Sequence, residues 1–559
     1  MDSVALLLNE IAETLPKSRQ ALRRLKARAA ERAGQPFVRN DALLARYRQD
    51  VAAGERAPTA PLERVLTLNG IRSQSGLATV TVITEPYPCP GRCVYCPTEA
   101  RAPKSYLTNE PAVRRALRHD YDPYRQVQAR LEALAQTGHP TDKIELIIKG
   151  GTWSFYPESY QETFVRRCLE AANEFDTNCQ LPATSSKPQI PTSPLAPEPL
   201  SLQLEACSLK LPDGLDEALV RNETAPCRLV GITVETRPDY VTDAEILRLR
   251  RLGVTRVELG VQSLEEPVLA LIVRDHGTAA VREATRRLKD AGFKVAYHLM
   301  PNLPGATPES DLAGFRTLFE DSGYQPDALK LYPCVVVESA ELHEWWREGR
   351  YQPYDDEILV ELLIQMKTAT PPYVRLERVI RDIPSTSIVA GCTVTNLREE
   401  AQRRMRQRAL HCRCIRCRQV RDDAAGEFVL VRRRYPASGG EEHFLSFEDP
   451  SSDRLASLLR LRLPADPAIG PPGLPALAGA ALIRELHSYG AHLPLSAHRP
   501  DAIQHRGFGR QLVREAERIA REEWGVSRIA VIAGVGAREY YRRLGYTLQD
   551  TYMVKDLAA

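Results

Sequence analysis

Apolar and polar positions follow three successive patterns along the chain, and these predict three structural regions. Residues 1–75 repeat apolar side chains at helical spacing. The first of them are Leu6, Leu7, Ile11 and Leu15. Residues 76–390 alternate short apolar runs with longer amphipathic segments, which is typical of strand–helix units around a parallel sheet, open or rolled into a barrel. From about residue 427 the runs indicate antiparallel strands around one long helix.

Six apolar runs predict the strands of the parallel sheet. They are Thr79–Thr84, Ile144–Lys149, Leu229–Glu235, Arg256–Gly260, Lys294–Met300 and Ala328–Tyr332. The amphipathic segments between them include Asp243–Leu252 and Ala279–Ala291. In the third region we predict a helix at Gly507–Trp524. The strands expected around it are Phe428–Arg434, Phe444–Glu448, Leu482–Tyr489 and Arg528–Ala533.

Proline-rich stretches interrupt these patterns. Residues 181–204 are rich in Pro and Ser and predict a surface insertion without regular structure, which we bound at 181–221; residues 464–475 form a second such loop. The predicted division is a helical basic region, a barrel domain that carries the insertion, a linker and a C-terminal domain. Their bounds are 1–75, 76–390, 391–426 and 427–559.

Composition and charge narrow the setting of the protein. A chain of 559 residues allows two or three domains, and a net charge of +3 indicates no partner. Residues 17–32 carry seven basic side chains against the single acid Glu31, which predicts either a phosphate-binding helix face or an ordinary solvated one. Residues 1–20 lack the apolar core of a signal peptide, so we expect a cytosolic protein whose twelve cysteines are thiols or metal ligands.

Three cysteines directly after the first strand carry the strongest chemical signal. Cys89, Cys93 and Cys96 have the spacing C-x3-C-x2-C. Three thiolates can hold three irons of a [4Fe–4S] cluster and leave the fourth iron open for the amino and carboxylate groups of S-adenosylmethionine (SAM). A structural zinc site and unrelated cysteines are the alternatives, but zinc usually takes four ligands in paired short spacings. The spacing, with Tyr95 before the third cysteine, therefore predicts a radical SAM cluster.

Polar residues and glycines recur at five successive strand ends, where barrel enzymes place their active sites. Lys149, Gly150, Gly151 and Thr152 follow one strand, and glycines there let the backbone approach a ligand, although an ordinary tight turn is the alternative. The other ends carry Glu235, Thr236, Arg237, Gln262, Ser263, His298, Met300, Lys330 and Tyr332. We expect a common site there. Its cofactor-binding residues would be Lys149, Gly150, Gly151, Glu235 and Gln262.

A glycine motif at the start of the C-terminal helix predicts a second site. The residues expected along a pyrophosphate are Gln504, Arg506, Gly507, Phe508 and Gly509. Small residues expose backbone N–H groups there, and a helix N-terminus favours an anion. The order of strand, motif, helix and strand resembles the GNAT acyltransferase superfamily, which binds acetyl-CoA. In that superfamily a late tyrosine often protonates the CoA thiolate, which here implies Tyr540 or Tyr541, with the other in the core.

A third cluster lies between the two predicted domains. Cys412, Cys414 and Cys417 favour a tetrahedral zinc site with a fourth ligand from elsewhere, and unligated thiols are the alternative. The candidates for the fourth ligand are His411, Cys392, Cys334, His443 and His487.

Several long motifs together carry a specific resemblance. They are CPGRCVYCP, VETRPDY, ELGVQS, HLMPNLPG, KLYP, RVIRDIP, RELHSYG, QHRGFG and AVIAGVGAREYYRRLGY. Over residues 75–180 and 222–559 the chain resembles the catalytic subunit of Elongator and its stand-alone bacterial and archaeal relatives. The resemblance implies an α/β fold, with a radical SAM partial (β/α) barrel followed by an α+β GNAT domain. It also implies an enzyme that makes 5-carboxymethyluridine at the tRNA wobble position.

The resemblance further implies a reaction path and partners. Acetyl-CoA in the GNAT domain would reach toward the radical site, a deoxyadenosyl radical would take a hydrogen from the acetyl methyl, and the new carbon radical would add to C5 of uridine. Electron return and thioester hydrolysis would then leave a carboxymethyl group and CoA. The implied partners are the tRNA anticodon loop and an electron donor, and a homodimer is left open. Basic residues should contact RNA phosphates. They are Arg23, Arg24, Lys26, Arg375, Arg378 and Arg381.

Two other functions remain open on the sequence. One is a GNAT-type protein lysine acetyltransferase whose iron–sulfur domain is structural, because GNAT folds often acetylate amines. The other is a non-catalytic RNA-binding scaffold that senses acetyl-CoA.

Overall fold

The computed structural model describes residues 3–16, 18–34, 36–67, 76–176, 214–394, 396–421, 426–490 and 503–557. The helices are α1 (Ser3–Thr14), α2 (Arg19–Ala33), α3 (Asn40–Ala52), α4 (Ala60–Leu66), α5 (Pro111–Leu117), α6 (Pro123–Gln136), α7 (Glu158–Glu174), α8 (Leu215–Asn222), α9 (Asp243–Arg251), α10 (Glu266–Leu271), α11 (Thr278–Asp290), α12 (Pro308–Glu320), α13 (Leu342–Arg347), α14 (Asp356–Ala369), α15 (Leu397–Gln407), α16 (Ile415–Arg418), α17 (Phe508–Arg518) and α18 (Arg538–Arg542). The strands are β1 (Ala78–Ile83), β2 (Lys143–Lys149), β3 (Arg228–Thr236), β4 (Arg256–Gln262), β5 (Lys294–Leu299), β6 (Ala328–Leu331), β7 (Arg375–Arg378), β8 (Val429–Ala437), β9 (Gly440–Asp449), β10 (Arg454–Leu463), β11 (Ala480–Ser488), β12 (Arg528–Val531), β13 (Thr547–Gln549) and β14 (Tyr552–Asp556).

The predicted insertion falls mostly outside the described residues. Its last residues, from Leu215 onward, form α8, because Leu215, Ala218 and Leu219 pack into the barrel core instead of lying in a surface loop. None of the helices within the described ranges is long and apolar enough to cross a membrane.

Helices α1 to α4 form a small bundle with its own apolar core. The core side chains of α1 are Leu7, Leu8 and Ile11, which lie on one face of the helix. The sequence pattern had also included Leu6 and Leu15. Both are exposed, since Leu6 lies outside this face and Leu15 follows the end of the helix.

Seven parallel strands form the barrel sheet in chain order from β1 to β7, so each strand pairs with the next one along the sequence. The six predicted strands are confirmed. The apolar face of β2 shows how the sheet is buried: Ile144, Leu146 and Ile148 belong to the core that helices α6 and α7 cover. The alternate residues of β2 include Glu145 and Lys149, so the other face of this strand is more polar.

The second sheet has the order β13-β14-β12-β11-β10-β9-β8 and is antiparallel except for one pair. Strands β11 and β12 run parallel and pair only from Ala480 with Arg528 to Ile483 with Val531. Beyond Ile483, β11 continues to Ser488 without β12 beside it. The pair therefore opens into a wedge, and α17 packs against β10 and β11 next to it.

The two sheets meet at the amino ends of the barrel strands. At the start of β5, the Lys294 ammonium lies 3.0 Å from a Glu485 carboxylate oxygen in β11. Directly before β6, Asp327 forms a two-pronged pair with Arg484 of β11 at 2.7 and 2.8 Å. Leu482 and Tyr552 also belong to the same apolar core as the barrel. The carboxyl ends of the barrel strands consequently lie at the opposite end from this interface.

Candidate functional site

A cavity of about 350 Å³ opens at the carboxyl ends of the barrel strands. Its wall contains all three cysteines of the first motif, Cys89, Cys93 and Cys96. It also contains residues from each of the five predicted strand ends. These are Lys149, Gly151, Thr152, Glu235, Thr236, Arg237, Gln262, His298, Met300 and Tyr332. The structure thus gathers them into one site.

The cysteines lie in the loop that follows β1. The Cys89 sulfur lies 3.6 Å from the Thr152 hydroxyl, and the Arg274 guanidinium donates to the Cys93 sulfur at 3.4 Å. Burial raises the pKa of the Cys96 thiol to about 12. Ligands of one tetrahedral zinc would hold their sulfurs about 3.8 Å apart, given Zn–S bonds of about 2.3 Å. Within the described residues these three sulfurs do not all lie within 4.8 Å of one another, which fits separate irons of a cluster.

Other parts of the wall fit a polar ligand such as SAM. Gly150 stands between the wall residues Lys149 and Gly151 without lining the cavity itself. It has a φ of 145°, and a Cβ there would overlap the Thr84 hydroxyl, so only glycine allows this close turn after β2. Gln262, with a φ of 74°, lies at the end of β4. The side-chain amide oxygen of Gln262 and one Arg237 guanidinium nitrogen are buried without a hydrogen-bond partner among the described groups. A buried acceptor and donor at a cavity wall favour a ligand that satisfies them.

Charged side chains inside the barrel support this wall. Glu235 accepts hydrogen bonds from Lys149 at 2.6 Å and Tyr106 at 2.7 Å. Although burial opposes it, the charge of Lys149 followed by that of His298 holds the pKa of Glu235 below its usual value. Glu258 pairs with Lys330 and lies 2.8 Å from the His298 ring. Glu235, which the sequence predicted to bind a cofactor, is therefore already bonded to side chains of the barrel interior. Lys330 supports the cavity wall but does not line it.

The second cysteine cluster is compact. The sulfurs of Cys412, Cys414 and Cys417 all lie within 4.8 Å of one another, and Lys367 lies 3.8 Å from the Cys417 sulfur. Hydrogen bonds from the neighbouring thiols lower the pKa of Cys417. Among the described residues, no histidine, carboxylate or further cysteine joins the set, so the five candidates for a fourth ligand lie outside it. The zinc site stays a prediction.

The predicted acetyl-CoA motif lies at the start of α17. Gly507 precedes the helix with a φ of 76°, a left-handed conformation that favours glycine. The Arg506 guanidinium lies 5.2 Å from the Phe508 ring centroid. A Cβ built on Gly509 would lie 3.1 Å from the Tyr540 hydroxyl, so this hydroxyl is close to the helix N-terminus.

The two candidate tyrosines occupy different environments. Tyr540 is 37% exposed beside the motif, and burial of the rest of its ring raises the pKa of its phenol. Tyr541 is 5% exposed and packs edge-on against Tyr546 in the core of the second sheet. The geometry favours Tyr540 as the residue that faces a ligand.

The open end of the wedge lies against the barrel. Gln504 lies directly against Gly76, just before β1, and its side-chain oxygen is 3.4 Å from the Lys143 ammonium at the start of β2. Tyr489, the residue after β11, accepts a hydrogen bond at 3.1 Å from Arg375 at the start of β7. Strands β1 and β7 are the two edges of the barrel sheet. The wedge therefore ends beneath the gap between these edges.

The structure corrects two of the predicted RNA-binding residues. Lys26 is only 3% exposed, because its ammonium donates to Asn40 at 2.6 Å and lies over the Phe37 ring. Arg375 points into the domain interface, where Gln419 and Tyr489 accept from it. Neither side chain presents its charge to a phosphate.

The other four residues predicted to bind RNA lie in two different places. Arg23 and Arg24 are exposed on α2. Arg378 and Arg381 line the cavity. Sequence reasoning missed Arg274 in this wall, since it lies in a loop after α10, and only the folded chain brings it to Cys93.

Comparisons with known proteins agree with this geometry. Three family models match: Radical SAM superfamily at residues 87–315, Radical_SAM C-terminal domain at 326–407, and Acetyltransferase (GNAT) family at 476–546. The chain is 45% identical over 496 residues to the tRNA uridine(34) acetyltransferase of Dehalococcoides mccartyi, covering 87% of this chain and 99% of that protein. It is 40% identical over 504 residues to Elongator complex protein 3 of Homo sapiens, covering 87% and 85%. The solved structure of the archaeal Methanocaldococcus infernus Elp3 with an N-terminal deletion matches with a TM-score of 0.70 and 39% identity, covering 86% of this chain and 100% of that one.

Proposed function

The chain belongs to the family of the tRNA uridine(34) acetyltransferases and Elongator complex protein 3, and from this we propose that it converts the wobble uridine of tRNA to 5-carboxymethyluridine with acetyl-CoA as donor. The observation that carries the proposal is the cavity that combines Cys89, Cys93 and Cys96 with glycine-bounded strand ends, on a barrel fused to an acetyl-CoA-type wedge. C5 of uridine is unactivated, so a cofactor must supply the difficult step while the protein positions and shields it.

Residues of the cavity would hold the two cofactors and keep the cysteine loop in place. Cys89, Cys93 and Cys96 would hold the [4Fe–4S] cluster, and the turn at Gly150 with Gln262 would hold SAM; together these groups supply a radical that can take hydrogen from an unactivated C–H bond. Arg274 donates to the Cys93 sulfur and also to the Gly260 carbonyl, so it keeps the cysteine loop in place.

Polar wall residues orient the substrates. The Lys149 ammonium donates to the Glu235 carboxylate, and Tyr106 donates to the same carboxylate. The Lys149 ammonium therefore has a fixed direction in the cavity wall. A fixed donor costs no reorganisation when a carbonyl or carboxylate approaches. A nucleobase must leave its stack to reach such a cavity, as for other enzymes that act on a base.

The second sheet holds and hydrolyses the donor. The N-terminus of α17 behind Gly507 suits the pyrophosphate of acetyl-CoA. The edge of β11 beyond Ile483, which β12 does not cover, suits an extended pantetheine arm because backbone groups there can hydrogen-bond to it. When water attacks the thioester carbonyl and the C–S bond breaks, the Tyr540 hydroxyl gives its proton to the leaving sulfur.

The position of the wedge supports donor delivery to the barrel over lysine acetylation. Gly76, Lys143 and Arg375 border the end of β11 at the amino ends of the barrel strands, so the acetyl group would lie beneath the gap between β1 and β7 and would reach the cavity at the carboxyl ends through that gap. A lysine of another protein would have to enter between the two domains.

The test is an anaerobic reaction of the reconstituted protein with SAM, reductant, acetyl-CoA and unmodified tRNA, followed by mass analysis of the nucleosides. We expect a uridine in which a carboxymethyl group replaces one hydrogen, and no such product without SAM. Cys93→Ala should abolish it. Cys168→Ala, a buried cysteine of α7 in the barrel core, is the matched control and should retain it. Product formation by Cys93→Ala, or acetylation of protein lysine without SAM, would refute the proposal.

A further inference from the structure

An aromatic patch lies at the rim of the cysteine cavity. Tyr87 and Phe155 are 38% and 37% exposed, and their ring centroids are 6.0 Å apart. Tyr240 meets Phe155 edge-on, also at 6.0 Å. The three residues, called the rim aromatics below, follow β1, β2 and β3 in turn. Exposed aromatic side chains in contact with one another at the edge of a site mark a binding surface.

The buried Tyr156 ring and the partly buried Tyr160 ring hold this patch in place. Tyr87 stacks on Tyr156 at 4.8 Å, and Tyr156 stacks on Tyr160 at 5.1 Å. The Tyr156 hydroxyl lies 2.8 Å from the Glu85 carbonyl oxygen, and the Tyr160 hydroxyl accepts from the Glu85 N–H at 3.0 Å. One face of Tyr87 is thus supported by a fixed column of rings. A ligand on the other face would not have to order it, which favours binding.

The patch adjoins the cavity wall, although its three rings are not among the lining side chains. Tyr87 is two residues before Cys89, and Phe155 is three residues after Thr152, whose hydroxyl lies 3.6 Å from the Cys89 sulfur. The guanidinium of Arg237, another wall residue, lies 5.9 Å from the Tyr240 ring centroid. A ligand stacked on the patch would therefore be the direct neighbour of a group inside the cavity.

The charge of the wall indicates the class of this ligand. Eight arginine and lysine side chains line the cavity against four carboxylates. A cationic wall beside aromatic faces is the combination with which proteins bind single-stranded nucleic acid, because phosphates need the cations and every base has a face to stack. If the ligand were instead an apolar surface of another protein, the excess of positive charge in the cavity wall would contribute little to its binding.

We propose that the rim aromatics form a stacking platform for the base next to the uridine that enters the cavity. The platform sets which nucleotide of an RNA loop reaches the cavity, because a base held on Tyr87 and Phe155 leaves only its neighbour within reach of the cysteines. This inference rests on the proposed function, since it takes the cavity's substrate to be a nucleotide.

The test measures RNA binding without chemistry. The probe is an anticodon stem-loop RNA with 2-aminopurine next to the target uridine, titrated into the cluster-loaded protein with SAM but no reductant. The double variant Tyr87→Leu/Phe155→Leu keeps apolar side chains but removes both rings. We expect it to lose the fluorescence quenching and to raise the dissociation constant about fivefold to about a hundredfold. Phe155→Trp should bind as the wild type does, because it keeps an aromatic face.

Two controls keep the result specific. Iron content should stay at the wild-type level in the leucine variant, which shows that the cluster loop is folded. Ile469→Ala, an exposed apolar residue in a loop of the second domain, should leave binding and quenching unchanged. Wild-type quenching and affinity in the leucine variant would overturn the platform. Ring-dependent quenching in a protein that never yields a modified uridine would support the platform while refuting the proposed function.

Discussion

Arg484 offers the sharpest test of how the two domains are joined. It is fully buried, and its guanidinium donates to the Asp327 carboxylate at 2.7 and 2.8 Å, to Glu442 at 2.8 Å and to the Phe293 carbonyl at 2.8 Å. The variant Arg484→Met keeps an apolar stem of similar length but removes the charge and all of these hydrogen bonds, together with a fifth from the Arg484 Nε to Glu442 at 3.3 Å. Two buried carboxylates then lose a cation at the domain interface.

The expected loss follows from what remains around these carboxylates. Removing one partner of a buried ion pair costs about 3–5 kcal/mol, since the other charge stays buried. Arg460 still lies 3.4 Å from Asp327, and Arg462 still lies 3.2 Å from Glu442. Because these cations compensate in part, we expect the lower end, about 3 kcal/mol in the free energy of unfolding.

The assay is urea unfolding followed by tryptophan fluorescence, with Trp524 reporting the second domain. The second sheet has a core of its own, but its Leu482 and Tyr552 belong to the barrel core, so we expect the two domains to unfold in a single transition. Because the m-value grows with chain length and should exceed the about 3 kcal/mol per M of small proteins, the midpoint should fall by less than about 1 M. Arg432→Met, which breaks the partly exposed pair with Glu523, is the control and should cost less than about 1 kcal/mol. An Arg484→Met midpoint equal to that of the control would refute this account of the interface.

Three further predictions follow from single contacts. Tyr540→Phe should slow thioester hydrolysis about a hundredfold, because the Tyr540 hydroxyl is the proton donor, whereas Tyr541→Phe should change the rate less than about twofold. Both rates are measured by the release of CoA. A larger effect of Tyr541→Phe would assign the proton donor to Tyr541. Gly150→Ala should weaken SAM binding at least about tenfold at unchanged iron content, because its left-handed turn leaves no room for a Cβ; equilibrium dialysis with SAM measures this, and wild-type affinity would contradict it. Burial lowers the pKa of Lys289 from 10.5 to about 8. Between pH 8 and 10.5 the unfolded chain therefore binds one more proton at Lys289 than the folded chain does, so the free energy of unfolding should rise with pH across this range by about 3 kcal/mol. Lys289→Met should lack this rise when urea midpoints are compared from pH 8 to 10, and an equal slope in both proteins would count against it.

The parallel sheet was predictable because its strands are short, apolar and separated by amphipathic helices. Two strands that the hydropathy pattern did not predict, β7 and β10, show where such a pattern fails. Strand β7 reads Arg-Leu-Glu-Arg, and only its pairing with β6 makes it a strand. Strand β10 contains Arg460 and Arg462, whose charges are buried because partners from the barrel and the second sheet surround them. Hydropathy along the chain does not record such pairing.

The candidate site shows the same division. The spacing of Cys89, Cys93 and Cys96 was readable, since ligands a few residues apart are held by one loop. The choice between Tyr540 and Tyr541 was not, because neighbouring residues differ only in the direction that packing gives them. Lys26 was wrongly expected on the surface for the same reason.

The chemical groups and their local spacing follow from the order of amino acids alone: three thiols after a strand, glycines at strand and helix ends, and the order of the two folds. Tertiary structure alone decided that Arg274 lies at Cys93, that the wedge ends beneath the edges of the barrel sheet, and that Tyr87 and Phe155 meet at the cavity rim. The reason is physical. Backbone geometry restricts residues within a few positions of one another, whereas contacts between distant segments depend on how buried faces pack, and packing is a property of the whole fold.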